Sequence, residues 1–196
     1  MNEPNYLYDG LSQAAWGYFL LTFDINLGTV SILPRFAGFL LLLSATGKLS
    51  AARRDLALLR PLCVLLACWS FGDWFLSWSG RDIDGMIPFL DLLAAAITLY
   101  FHFQFLTDMS ALAEAYQPDD DNLAGRIRSR RTAYTLMVTV ISLLSSLSQA
   151  FPREWWPGII VFAALITCIV ALMIMADLFR LRRCVQDIGT EPPDPH

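Results

Sequence analysis

An all-α, polytopic membrane helical bundle of six transmembrane helices is the fold class this sequence predicts, and three observations predict it. Apolar residues make up 56% of the 196 residues and charged ones only 16%, at a mean hydropathy of +0.48, too little charge for a soluble domain. The apolar residues fall into six runs divided by Gly, Pro and charge. Of the 14 basic residues, all but Arg35, Arg81 and Arg153 gather on one side when the loops after runs two and four are placed there with the C-terminal tail. By the positive-inside rule both termini are then cytoplasmic. The aromatic belts agree, with Trp74, Trp78, Trp155 and Trp156 at the outer ends and Tyr6, Tyr8, Tyr116 and Tyr134 at the inner ends.

The start, MNEPNYLYDG, is acidic, and no small-residue cleavage site follows a short apolar core, so the first run is expected to stay as a span. That span covers Leu7 to Ile25, with Asp24 at its far interface and Ala14 and Gly17 as small positions for close helix contact. Gly28 and Pro34 break the chain before a second span from about Phe36 to Gly47, extended back toward Thr29. Both are short, so a re-entrant hairpin over residues 7–47 beside four full spans is the alternative, and it keeps both termini inside. Span three, Leu56 to Trp78, opens near Arg60-Pro61 and carries Asp73 near its end. Span four starts at Pro88 and runs on past Asp108 and Glu114 to Tyr116 as a helix projecting from the membrane. QPDDDNLAGRIRSRR reads as a linker, Thr132 to Ala150 as span five, and Ile159 to about Phe179 as span six. Residues 1–184 thus form one transmembrane domain, and 185–196, Pro-rich and acidic at the end, a disordered cytoplasmic tail.

Ionisable residues inside spans are expensive and mark interior contacts or sites. Asp24, Arg35, Asp73 and Asp91 all fall in the outer third, so Arg35 is expected near at least one of the three carboxylates, with Gln149 as a fifth member. Such a group is a structural ion pair, interfacial charges reaching the headgroups, or an outward-facing pocket for a polar or cationic solute. Asp91, Thr98 and His102 share one stripe of span four, but Asp91 and His102 stand roughly 16 Å apart along the helix, so they mark a seam or proton path rather than a catalytic pair. His102, among Phe101, Phe103 and Phe105, reads chiefly as a hydrogen-bonded interior residue. Ser142, Ser145, Ser146 and Gln149 share a face of span five suited to a close helix interface, and Asp177 with Arg180 forms an i, i+3 pair.

Chemistry-bearing motifs are absent: the chain has no GxSxG, HExxH, P-loop or glycine-rich dinucleotide turn, and His102 is too deep for a triad with the outer carboxylates. Cys63, Cys68, Cys168 and Cys184 read as small apolar fillers without a metal-ligand pattern, so neither metal nor cofactor is expected. Nothing in the charge pattern supports nucleic-acid binding.

The stretch GYFLLTFDINLGTVSILPRFAGFLLLLSATGKL, through Ile32, Leu33, Pro34, Gly38 and Phe39, resembles the N-terminal hairpin of a group of small uncharacterised integral membrane proteins from Gram-positive anaerobic bacteria. Arg35 stands where that group often has an acidic residue. In size and six-span layout the chain is also similar to the substrate-binding subunits of energy-coupling vitamin transporters, an analogy of fold alone. Two functions are expected. One is a solute-binding or transport subunit, in the bilayer alone or as a homo-oligomer, with the outer polar group as its pocket. The other is a scaffold or regulatory protein that docks a partner through its cytoplasmic region 108–131.

Overall fold

The computed structural model describes residues 3–22, 26–27, 30–31, 35–77, 88–118, 121–150 and 154–190. It is all-α: helices α1 (Glu3–Thr22), α2 (Arg35–Leu49), α3 (Arg60–Ser77), α4 (Pro88–Tyr116), α5 (Leu123–Ala150) and α6 (Trp156–Thr190), with a 3-10 helix at Arg54–Leu59 before α3. Among the described residues two helices are long and apolar enough to cross a membrane, over Arg54–Leu76 and Trp156–Asp187, at mean hydropathies of 1.5 and 3.0.

Several element boundaries differ from the sequence expectation, each for a local reason. The second helix does not reach back toward Thr29; it begins at Arg35, and Asn26–Leu27 pairs antiparallel with Val30–Ser31 as a two-residue ladder. Pro61 has no N–H to donate, and the Arg60 N–H bonds the Ala57 carbonyl in the tighter 3-10 pattern before α3 proper sets in. The basic half of the expected linker is helical, because Asn122 caps α5: its side-chain oxygen accepts from the Gly125 N–H at 3.2 Å, and Gln117 accepts from the Ala124 N–H at 2.9 Å. Helix α6 continues past residue 185 to Thr190, and residues 191–196 of the expected tail lie outside the described residues.

Neighbouring helices pack in the order α3, α2, α1, α6, α5, α4, and α4 touches α3 lightly to complete the ring. Burial follows helical stripes: Leu7, Leu11, Ala14 and Tyr18 on α1; Phe39, Leu42, Ala45 and Leu49 on α2; Ala171, Ile174, Leu178, Leu181 and Val185 on α6. These stripes occupy one end of the bundle only. No residue of 68–76, 93–100, 135–144 or 154–170 is buried, and that half presents Phe75, Leu93, Leu136, Leu143, Phe162 and Leu165 to its surroundings. The packed end is where the α2–α3 and α4–α5 connections and the C-terminal part of α6 meet, which is also where the basic residues lie.

Helices α1 and α2 approach so closely that two glycines are required. A Cβ on Gly17 would stand 3.1 Å from the Gly38 carbonyl oxygen, and one on Gly38 would stand 3.0 Å from the Gly17 carbonyl oxygen and 2.8 Å from Leu21. Because the obstacle is backbone, the helices must separate to admit even a methyl group. Gly38→Ala is therefore expected to lower stability by about 1–3 kcal/mol, the range for overpacking, measured by equilibrium unfolding in mixed micelles. A neutral result would show that the helices yield at no cost.

Candidate functional site

At mid-height of the bundle, polar side chains from five helices converge. His102 of α4 and Tyr18 of α1 are buried, and the imidazole Nδ1 and the phenol oxygen share a hydrogen bond of 3.0 Å. The pair satisfies two polar groups without a formal charge, the inexpensive way to keep polarity in an apolar interior. Tyr134 of α5 sets its ring edge-on to His102, with centroids 5.3 Å apart, and Phe105 and Phe101 continue the aromatic wall. The Cys63 thiol, bonded to Thr46, completes the polar set close to Tyr18.

Below this layer the charged end of the bundle is closed by ion pairs between its helices and connections. Asp108, with a fully buried side chain, accepts from the Arg53 Nε–H at 3.0 Å and from Gln104. Its burial pushes the carboxyl above the ordinary carboxylate range, against the lowering effect of Arg53 and Gln104. Arg130 of α5 pairs with Asp177 of α6 and donates to the Met173 carbonyl at 2.6 Å. Asp121 holds Arg126 at 3.0 Å and Arg180 at 3.1 Å, and Arg131 donates to Thr107 at 2.8 Å while covering the Phe103 ring. In place of the i, i+3 pairing expected between Asp177 and Arg180, Asp177 bridges to Arg130 of α5 and Arg180 to Asp121 in the α4–α5 connection.

The helix lengths place the outer polar residues by depth. From the Tyr18–His102 bond α1 continues four residues to Thr22, roughly 6 Å, whereas α4 continues fourteen residues to Pro88, roughly 21 Å. The Phe39–Phe101 contact, at 6.2 Å between centroids, gives the same answer for α2, which ends at Arg35. Both helical arms of the hairpin therefore stop about 14 Å short of the outer end of α4. Arg35 sits at the end of its arm, exposed and within electrostatic range of Tyr134. Phe36 packs on Phe71 and Trp74 of α3, with centroids 5.3 and 5.5 Å away, which brings Asp73 level with Arg35.

The remaining expected members are Asp24, Asp91 and Gln149. Asp91 and Gln149 belong to α4 and α5 at higher levels, Asp91 about 16 Å up the helix from His102, and their side chains, like Asp24 as a whole, lie outside the described residues. Thr98 turns its hydroxyl onto the Ala94 carbonyl of its own helix at 2.8 Å. Ser142 is exposed and bonds the Val138 carbonyl at 3.0 Å, while Ser145 and Ser146 lie outside the described side chains. Sequence reasoning missed Tyr18 and the Arg53–Asp108 pair. The signal for Asp108 was present: Phe101, Phe105, Asp108 and Leu112 fall on one helical face, so a residue taken as projecting is on the buried stripe. Among the described residues no three His, Cys, Asp or Glu side chains gather as a metal site. No family model, curated protein or solved structure matches the chain.

Proposed function

We propose that the chain is an integral membrane protein with both termini cytoplasmic, four full spans (α3 to α6) and a shorter α1–α2 hairpin entering from the cytoplasmic side, and that it binds or carries a small polar solute reaching it from outside. The observation that carries this reading is the height of the hydrogen-bonded Tyr18–His102 pair, just below the end of a short hairpin and above an end closed by ion pairs. The helical arms of this hairpin end below the outer end of α4, and the solute is proposed to reach the chain on that side. Arg35 is exposed at the end of its arm, Asp73 belongs to the α3 segment that packs against Phe36, and Asp91 and Gln149 belong to α4 and α5 nearer the outer ends of those helices. Six full spans would require α2, about 22 Å long at 15 residues, to cross roughly 30 Å of hydrocarbon. The bridges of Asp108, Glu114, Asp121, Arg126, Arg128, Arg130 and Arg131 are made within the chain, which favours the solute reading over docking of a partner through region 108–131.

The test is a melting screen of the purified protein against polar solutes, cations first. A solute at a hundred times its dissociation constant is expected to stabilise by about 2.7 kcal/mol, and Asp91→Asn and Arg35→Gln should each abolish that gain. His102→Phe should melt lower without solute, because the Tyr18 hydroxyl loses its partner, at a cost of about 1–3 kcal/mol. A screen in which no solute shifts the wild type would defeat the reading.

A further inference from the structure

A second site, separate from the solute reading, lies between α5 and α6 at the charged end of the bundle. The two helices enclose a cleft of about 820 Å³ walled by five guanidiniums against two carboxylates, Asp177 and Asp187, with Met175 and Phe179 as apolar floor. Its charge is only partly used within the chain. Arg130 is committed to Asp177, and Arg126 and Arg180 share the single Asp121. Arg182 donates to the Ser12 hydroxyl at 3.1 Å and lies over the Tyr8 and Phe179 rings, whereas Arg183 is exposed without an ion pair among the described residues. Just above the cleft the same two helices expose apolar side chains, at Leu136 on α5 and at Ile169, Leu172 and Met173 on α6.

We propose that this cleft binds the phosphate headgroup of an anionic phospholipid, with the acyl chains lying along the exposed α5–α6 seam. Guanidiniums are the strongest side-chain partners for a phosphate, and the exposed Arg183 brings one that no carboxylate among the described residues neutralises. The shape selects the lipid over a free phosphate ion: the cleft is far larger than a phosphate and opens onto apolar surface that a soluble anion would leave uncovered. Its position at the change from apolar to charged sequence on α6 is the depth at which a headgroup sits.

The full-length protein in neutral detergent would be melted against added phosphatidylglycerol, phosphatidylcholine or inorganic phosphate. Phosphatidylglycerol alone is expected to raise the melting temperature. Arg183→Gln should raise its half-saturating concentration about fivefold, the effect of one basic group at a membrane surface, and Arg183→Lys should restore most of the affinity. Because Arg183 is exposed, both variants should melt as the wild type does without lipid, which separates a lost site from a lost fold. Arg54→Gln, an exposed charge at the same end but outside the cleft, should leave the titration unchanged. Equal weakening by Arg54→Gln would mean general attraction to charge. A shift with inorganic phosphate would mean a soluble-anion site, and equal responses to the two lipids would mean no headgroup recognition; each of these overturns the proposal.

Discussion

Arg130→Ala is expected to destabilise the bundle by about 3–5 kcal/mol in mixed-micelle unfolding, the range for removing one partner of a buried ion pair. The Asp177 side chain is only 6% exposed and that of Arg130 21%, so water from the cleft can replace the lost guanidinium only in part. The Met173 carbonyl loses its extra donor in the same step. The partner change separates charge from packing. Replacing both residues with apolar ones of similar reach, Arg130→Met with Asp177→Leu, should return stability to within about 1 kcal/mol of the wild type or above it, because both desolvation penalties vanish together. If the double variant is as unstable as the single one, α5 and α6 are held by geometry that the bridge alone supplies. Should the protein carry its solute across, the double variant is also expected to bind from outside yet release poorly inside, since it keeps the closed end without a bridge that can open.

Arg53→Ala is expected to cost about 3 kcal/mol, the lower end of that range, because Arg53 is one-third exposed and water recovers part of its solvation. Asp108→Asn should cost less, since the amide oxygen can still accept from Arg53 and Gln104. The pH dependence has a definite sign. The folded-state carboxyl is raised above its ordinary value by burial, so its contribution favours folding below the ordinary carboxylate range and is lost as pH rises through the shifted value. Removing Arg53 takes away the principal lowering influence and enlarges this loss. The deficit of Arg53→Ala relative to the wild type should therefore shrink on acidification, and that of Asp108→Asn should not. A pH-independent deficit would show that the neutral contacts of the arginine stem, rather than the buried charge, hold α4 to the α2–α3 connection.

The helices were legible because most carry a strong local signal, apolar runs bounded by Pro34, Pro61 and Pro88, whereas the Asn122 cap that starts α5 early was read as part of a linker. So was the gathering of basic residues at one end, a property of order along the chain. His102 was legible as an interior residue from its aromatic neighbours on the same helix. Its partner was not, because Tyr18 lies 84 residues away on a helix whose face is defined only by packing. The same holds for Arg53 with Asp108 and for Arg130 with Asp177, 55 and 47 residues apart: local spacing offered Asp177 a nearer partner in Arg180, and the fold overrode it. Hydrophobic periodicity is a property of one segment and survives in any arrangement of its neighbours, so class and element order could be derived from residues alone. Depth and pairing depend on where each helix stops relative to the next. Only the tertiary structure decided them, by ending helices α1 and α2 short of the far end of α4 and by pressing α5 against α6 until their charges became each other's solvent.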